Sequence, residues 1–223
     1  MRQRSEIIEK AERVCDSLAT ILYEDDKTFL ENMKAQQTEN SELKKYRHWE
    51  WTQGVGLYGF YKLYQFTGKR AYLDSLVRYY DERFQDGLPG KNVNTVAPML
   101  AMTYVYEETK DEKYLAPIIE WVEWVYRDMP RTQEKGLQHI TSDCINAEEL
   151  WDDTLVMTVL FLARAGMLLD RREYVEEAIR QHLLHVKYLA DKSTGLWFHG
   201  WTFNGRHNLS LIHISEPTRP IIR

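Results

Sequence analysis

The 223-residue chain is 43% hydrophobic, which is enough for a sizeable core in one large or two small domains. Its 34 acidic side chains outnumber the 29 basic ones, which are scattered among them, so nucleic-acid binding is not expected. The two cysteines lack the spacing of a disulfide framework or a metal site, and the longest apolar run, residues 154–163, is too short for a bilayer, so we expect a cytoplasmic globular protein with no membrane partner.

Apolar residues at helical spacing predict seven helices along the chain, and no stretch alternates well enough to predict a strand. We therefore expect an all-α fold. The predicted helices cover approximately residues 5–24, 52–66, 70–85, 95–108, 111–128, 152–168 and 171–189.

An internal repeat organises these helices. Residues 63–73 match residues 105–115, and a weaker third copy ends at residues 172–175. Each copy reads as a helix, a short polar turn and a second helix, so the chain is predicted to be an array of helical hairpins. The third copy follows after a longer interval, and the extra residues fall between Met129 and Glu148. Long connections in compact domains are usually functional, so we expect this loop to contribute to a site.

Helical hairpins of this length build either open solenoids or closed toroids. Several segments that flank the predicted inner helices carry Trp together with His, Asn, Gln or Asp, and in a toroid these segments converge on one end. Such a set suits a sugar, because aromatic rings stack on its C–H faces while its hydroxyl groups need hydrogen-bonding partners. The segments are residues 48–54, 92–95, 138–140, 151–153 and 197–201.

The most informative segment, residues 150–155, sets an aromatic side chain and two carboxylates where an apolar helix begins. Asp152 is equally well explained as a helix N-cap. Asp153 is the residue that we expect to take part in the chemical reaction. A general acid at a helix N-terminus must be desolvated, because the helix dipole alone would lower its pKa. Trp151 is the expected source of that apolar cover.

Some of these residues also have purely structural explanations. Trp49 and Trp51 are equally compatible with core positions, since tryptophan is mostly buried whatever its role. His139 would ordinarily be a structural histidine, and only its place in the long loop favours a role in a site.

Two other kinds of site are considered and rejected. His199, His207 and Asp153 suggest a metal site, but no His-x-x-x-His pair supports one, so we expect no metal. The glycines of residues 54–59 resemble a dinucleotide-binding fingerprint but follow no strand, and close helix packing explains them better. No cofactor is expected.

Taken together, the motifs resemble those of the unsaturated rhamnogalacturonyl hydrolases of glycoside hydrolase family 105, which are related to the unsaturated glucuronyl hydrolases of family 88. The resemblance spans about residues 45–208. It implies an (α/α)6 barrel of six helical hairpins that removes the 4,5-unsaturated uronic acid which pectin lyases leave on the non-reducing end of their products. The motifs lie at residues 51–59, 91–99, 130–132, 136–139, 150–155 and 195–201.

The resemblance also implies the chemistry and the site. In this family an acid protonates the vinyl-ether double bond at C4, water adds at C5, and the resulting hemiketal opens and expels the aglycone. By the match of the Trp-x-Asp motif, Asp153 takes the acid/base role. Arg206 is expected to pair with the uronate carboxylate. The residues expected to bind the substrate are Trp51, Asn92, Asn94, His139, Trp151, His199, Trp201 and Arg206.

The chain departs from the family pattern in two places. Many relatives have a second Asp just before residues 92–94, whereas this chain has Lys91 and no carboxylate nearby in sequence, so Asn92 or Asn94 is expected to orient the water or a hydroxyl group. The segment 209–223 resembles a non-native tail. We therefore expect residues 1–208 to be the N-terminal portion of a single catalytic domain. Exposed apolar inner faces would then make the chain poorly active or insoluble.

Two other functions stay open from the sequence. One is a helical-repeat module that binds an oligosaccharide or a peptide without turnover. The other is a related toroidal sugar enzyme, such as a family 88 uronidase or a sugar epimerase. The sequence defines neither the aglycone nor the oligomeric state.

Overall fold

The structure is a computed structural model that describes residues 2–36 and 38–204. Within those residues it contains nine α-helices and one two-stranded antiparallel ribbon. The helices are α1 (Arg2–Ile21), α2 (Lys27–Ala35), α3 (Asn40–Tyr46), α4 (Trp51–Thr67), α5 (Arg70–Asp86), α6 (Val93–Thr109), α7 (Leu115–Glu123), α8 (Leu160–Leu168) and α9 (Arg172–Leu189). The strands are β1 (Glu149–Trp151) and β2 (Gly200–Thr202).

Three helical hairpins form the body of the fold: α4 with α5, α6 with α7, and α8 with α9. Helix α6 lies between α4 and α8 and is buried along most of its length. Each hairpin turn contains one residue with a positive φ, Gly68, Lys110 or Asp170, because a left-handed residue ends a helix and reverses the chain. The predicted hairpin repeat is thus confirmed.

Glycines allow α4 to approach its neighbours closely, as the sequence predicts. A Cβ atom built on Gly54 would lie 2.5 Å from the backbone carbon of Ala97 on α6. One built on Gly56 would lie 3.0 Å from Leu18 on α1. The run of glycines in this segment is therefore a packing feature of a helix.

The prediction that no segment forms a strand is wrong. Strands β1 and β2 pair in antiparallel register, with Trp151 opposite Gly200. Each strand has only three residues, too few for alternation to be recognised, and the pairing joins positions far apart in sequence. The short helices α2 and α3 were also not predicted, because nine and seven residues span too few turns for an apolar stripe to stand out.

Two of the predicted helices are less regular than expected. The segment predicted at 111–128 begins with a 3₁₀ turn at Glu112–Tyr114 and ends in a widened π turn at Trp124–Asp128. The segment predicted at 152–168 begins with a second π turn, Leu155–Val159, before α8. Widened turns of this kind occur frequently at functional sites.

The core contains one of the two tryptophans whose role the sequence leaves open. Trp49 is fully buried, and its indole N–H donates to the backbone oxygen of Thr95 at 2.9 Å. Trp51, two residues later, is 45% exposed. No helix in the described part of the chain is long and apolar enough to cross a lipid bilayer.

Candidate active site

The ribbon and the turn after it determine where Asp153 lies. Strand β1 ends at Trp151, and the backbone N–H of Asp152 continues the pairing by donating to the oxygen of His199 at 2.9 Å. Asp153 and Thr154 follow, and then the π turn Leu155–Val159 begins. The fold therefore brings His199 beside the two carboxylates, although it lies more than 40 positions further along the chain.

The carboxyl group of Asp153 is partly desolvated. Its side chain is 30% exposed, while Oδ1 is buried and has no hydrogen-bond partner among the described residues. Burial raises the pKa of Asp153 to about 6, an effect that nearby His199 opposes and Asp152 reinforces. The acid thus keeps its proton to a much higher pH than an ordinary aspartate.

His139 reaches Asp153 from the long loop between α7 and β1. Its Nδ1 lies 3.3 Å from Oδ1 of Asp153 and 2.9 Å from Oγ1 of Thr154. Burial lowers the pKa of His139 to about 3, with smaller contributions from His199 and His185. The imidazole is therefore neutral and does not favour ionisation of the neighbouring carboxyl group. This contact agrees with the functional role expected for the long loop.

Trp151 joins the two histidines into one aromatic cluster. Its ring stacks on His139 with centroids 4.6 Å apart, and it meets His199 edge-on at 4.7 Å. The Trp151 indole N–H donates to Oε2 of Glu149 at 2.9 Å. Nδ1 of His199 lies 2.8 Å from Oδ1 of Asp152. Asp152 thus orients His199, a role that the N-cap interpretation did not foresee.

Asn92 and Asn94 lie at the start of α6 and differ in their surroundings. Oδ1 of Asn92 accepts from the N–H groups of Asn94 and Thr95, and its Nδ2 donates to Oγ of Ser142 at 2.9 Å. Asn92 is buried, and protein groups occupy its polar atoms. Asn94 is half-buried and faces an open cleft. Of the two, Asn94 is therefore the residue available to a ligand.

That cleft has a volume of about 260 Å³ and lies where α2, α4, α6 and the long loop meet. Trp51 and Asn94 both line it, which brings two of the expected substrate-binding residues together. The backbone N–H of Val93 donates to the oxygen of Ile140 at 2.9 Å. Since Val93 precedes Asn94 and Ile140 follows His139, this bond joins the start of α6 to the loop segment that contacts Asp153.

Of the remaining expected substrate-binding residues, Trp201 lies apart from this group. Trp201 pairs with Leu150, so its side chain projects from the face of the ribbon opposite Trp151 and packs against Tyr188 of α9 at 5.6 Å. Arg206 lies outside the described residues, as does the segment 209–223. Among the described residues, no three His, Cys, Asp or Glu side chains are arranged to hold a metal ion.

Sequence reasoning missed Glu50. This carboxyl group is only 8% exposed, and burial raises its pKa to about 7. Oγ of Ser142 donates to its Oε1 at 2.6 Å. The signal that could have revealed Glu50 was an acidic residue between two tryptophans at the start of an apolar helix, within a segment already noted for its aromatic content.

Comparisons with known proteins point to glycoside hydrolases of families 88 and 105. The model of Glycosyl Hydrolase Family 88 matches residues 26–214. Unsaturated rhamnogalacturonyl hydrolase YesR from Bacillus subtilis (strain 168) is 34% identical over 167 residues, which cover 74% of this chain and 48% of that protein.

Solved structures described as possible members of the GH105 family are also similar to this chain. A possible member of the GH105 family from Klebsiella pneumoniae is 53% identical with a TM-score of 0.71, over 72% of this chain and 42% of that one. Another possible member, from Salmonella enterica, is 43% identical with a TM-score of 0.79, over 90% of this chain and 53% of that one. The chain thus spans about half the length of these relatives. With most of its residues matched by the family model, the chain belongs to Glycosyl Hydrolase Family 88, and the resemblance seen in its motifs is confirmed.

Proposed function

We propose that this chain acts in a hydrolase that removes a 4,5-unsaturated uronic acid from the non-reducing end of pectin-derived oligosaccharides. The observation that carries the proposal is the environment of Asp153, a carboxyl group with a pKa of about 6 beside a neutral His139 and the ring of Trp151. A relative of this chain is named as an unsaturated rhamnogalacturonyl hydrolase, which supports the substrate class.

The reaction needs a carboxylic acid that first gives up a proton and then recovers one. Protonated Asp153 delivers its proton to C4 of the double bond, and positive charge develops at C5 beside the ring oxygen. The carboxylate then accepts a proton from water as the water oxygen bonds to C5. The hemiketal formed at C5 opens to a ketone, and the C1 hemiacetal releases the aglycone as an alcohol. One water molecule is consumed, and Asp153 ends in its starting state.

The surroundings of Asp153 suit both steps. Desolvation keeps the acid protonated in weakly acidic solution, which the first step requires. A pKa of about 6 also leaves the carboxylate basic enough to accept the proton of water in the second step. Because His139 is neutral, its ring lies 3.3 Å from the carboxyl group without fixing that group in the charged form.

The remaining expected residues are proposed to hold the sugar. Trp51 is exposed on the cleft and offers a stacking surface, and Asn94 offers an amide to a hydroxyl group. Trp151 and His199 are proposed to line the side of the site next to Asp153. Arg206 stays a prediction as the partner of the uronate carboxylate. We further propose that residues 1–208 form the N-terminal portion of a single (α/α)6 catalytic domain.

The test follows the absorbance of the double bond of an unsaturated rhamnogalacturonide disaccharide in the near ultraviolet, with protein in excess so that a single slow turnover is measurable. We expect the wild-type chain to abolish this absorbance. Asp153→Asn should leave it intact while the sugar still binds, as detected by tryptophan fluorescence. Asp170→Asn is the matched control, because Asp170 lies exposed in the α8–α9 turn.

Two results would contradict the proposal. Asp153→Asn could consume the double bond as fast as the wild type, which would show that another group protonates the double bond. Alternatively, the sugar could bind to both proteins and remain unchanged by both, which would favour a binding module without turnover.

A further inference from the structure

Glu50 is a second buried carboxyl group at the end of the fold that carries Asp153, and the mechanism above does not use it. It immediately precedes α4, and its side chain contacts two other elements. Oγ of Ser142, in the long loop, donates to its Oε1 at 2.6 Å. The side chain of Asn94, in the first turn of α6, lines the same cleft and lies close enough to this carboxyl group to lower its pKa.

These contacts continue into a chain of hydrogen bonds. The hydroxyl group of Ser142 that donates to Glu50 also accepts from Nδ2 of Asn92 at 2.9 Å. Asn92 in turn caps the first turn of α6, where Asn94 lies. Glu50 is therefore linked to Asn92 through Ser142, and it lies beside Asn94 in the same cleft. One carboxyl group thus lies next to both amides at the start of α6.

The same carboxyl group faces the cleft that Trp51 and Asn94 line. The sequence contains no carboxylate next to residues 92–94, but the fold supplies one from another helix. We propose that Glu50 is a positioning residue of the active site, which sets the orientation of the Asn94 amide towards the sugar and holds Asn92 through Ser142. This inference rests on the proposed function and adds to it a residue that controls how the substrate is held.

The protonation state of Glu50 determines what it can offer Asn94. A carboxylate only accepts hydrogen bonds, whereas a protonated carboxyl group also donates one. The ionised form therefore takes the amide N–H of Asn94 and leaves the amide oxygen to face the cleft. The neutral form can donate to the amide oxygen, so that the N–H₂ group of Asn94 faces the sugar. Titration of Glu50 thus determines whether Asn94 presents a hydrogen-bond acceptor or a hydrogen-bond donor to the cleft.

The surroundings of Glu50 favour its neutral form. Burial is the main cause of its raised pKa of about 7, and Asp143 and Asp26 add to the effect, while Ser142 and Asn94 oppose it. Arg47 lines the same cleft but is paired with Asp25. In the range where Asp153 holds its proton, Glu50 is protonated as well. The active form is therefore expected to have a neutral Glu50 that donates to Asn94.

A merely structural role for Glu50 would predict different behaviour. If Glu50 only ties the long loop to α4, its ionisation should affect stability but leave the Asn94 amide as it is. Glu50→Gln separates the two cases. Glutamine has the shape of the neutral acid and, like it, one side that donates hydrogen bonds and one that accepts them, but it does not titrate.

The first experiment needs no ligand. The side-chain amide signals of Asn94 are followed by ¹H–¹⁵N NMR from about pH 5 to about pH 9, with Asn94→Asp used for assignment. We expect the wild-type signals to titrate with a midpoint near that of Glu50 and the Glu50→Gln signals to stay constant. Glu176→Gln, an exposed site on α9, should titrate like the wild type. A wild-type amide that does not titrate, or one that titrates unchanged in Glu50→Gln, would overturn the inference.

The second experiment measures binding of an unsaturated rhamnogalacturonide disaccharide in the Asp153→Asn background, where turnover is blocked. Affinity should fall roughly five-fold between about pH 6 and about pH 8, which is the size expected for one neutral hydrogen bond. Adding Glu50→Gln should hold the affinity near its value at the lower pH throughout. Adding Glu50→Ala should weaken it at both.

The outcomes separate the two proposals. If the sugar binds equally well at both pH values in the Asp153→Asn protein, Glu50 does not position the amide and the inference is overturned. If the amide titration is found but the sugar binds at no pH, the proposed function fails and the active-site role of Glu50 fails with it.

Discussion

At the scale of single residues, the pKa of Asp153 should depend on Trp151. The indole lies against both His139 and His199, so it excludes water from the side of the site next to the acid. Trp151→Ala should admit water and return the pKa of Asp153 towards its ordinary value of 3.8. We expect the midpoint at which the protein loses activity with rising pH to move down by about one unit.

A tryptophan on the other face of the same ribbon gives the matched control. Trp201 packs on Tyr188, away from Trp151, so Trp201→Ala should leave the midpoint where it is in the wild type. The pKa of Asp153 can also be measured by ¹³C NMR of its carboxyl carbon, independently of activity. Equal shifts in both variants would show that Trp151 has no special part in desolvating the acid.

Glu50 also makes a residue-scale prediction about stability. Its pKa is about 7 in the folded protein and 4.5 ordinarily, so between these values the folded state binds a proton that the unfolded state has lost. Stability attributable to Glu50 is therefore complete below about pH 4.5 and is lost as the pH rises through about 7. Relative to the wild type, Glu50→Gln should gain roughly 3 kcal/mol across this range, because glutamine does not ionise.

Urea unfolding of both proteins at matched pH values measures this difference. His139 and His185, whose pKa values burial lowers, have the opposite dependence, since they cost stability as the pH falls below their ordinary values. They are present in both proteins and cancel in the comparison. A stability difference that stays constant with pH would show that Glu50 is ionised in the folded state throughout.

The two carboxyl groups also show what the sequence can reveal of a site. The desolvated setting of Asp153 was predictable, because local sequence alone shows a tryptophan, a carboxylate and the start of an apolar helix together. A role for His139 in a site was expected from its place in the long loop, but its contact with Asp153 was not predicted. Glu50 was not predictable, because its importance arises from Ser142 and Asn94, which tertiary structure brings to it.

At the scale of elements, the approach of α4 to α6 depends on the missing side chain of Gly54. A Cβ atom there would lie 2.5 Å from the backbone carbon of Ala97 and 2.6 Å from its Cβ, so a backbone must move to admit it. Gly54→Ala should destabilise the protein by about 1–3 kcal/mol, the usual cost of overpacking, even though alanine is the better helix former. Thermal and urea unfolding measure the change.

Gly59 in the same helix is the control. A Cβ atom built there meets nothing within 4 Å, so Gly59→Ala should be neutral or should stabilise the protein by up to about 1 kcal/mol. If both variants lose the same stability, helix packing at Gly54 is not the cause.

Elements with a long apolar stripe were predictable from the sequence, and those without one were not. The predicted helix at 52–66 corresponds to Trp51–Thr67, and that at 171–189 corresponds to Arg172–Leu189. The bounds agree closely because each helix contains several turns of periodic apolar residues. The strands β1 and β2 were missed, because three residues carry no period and their pairing depends on contacts between distant segments. These strands place Trp151 and His199 together, so the details of the site were less predictable than its location.

At the scale of the whole molecule, large apolar side chains are exposed along one face of α4 and one face of the segment that ends in α8. Trp51, Val55 and Phe66 lie on the first, and Val156, Leu160 and Met167 lie on the second. Neighbouring exposed side chains of this kind form patches that drive association. We therefore expect the 223-residue chain to self-associate in a concentration-dependent way, in line with the poor solubility predicted from the sequence.

A double variant tests whether these faces cause the association. Phe66 and Met167 are 68% and 69% exposed, so replacing both with glutamate should cost little folding free energy while breaking both apolar faces. Sedimentation velocity should show a larger monomer fraction for the double variant than for the wild type. Added negative charge alone also opposes association, so the control carries Gln133→Glu and Thr20→Glu, two exposed polar positions elsewhere. If the control dissociates as fully as the double variant, net charge governs the association, whereas a difference between them assigns it to the apolar faces.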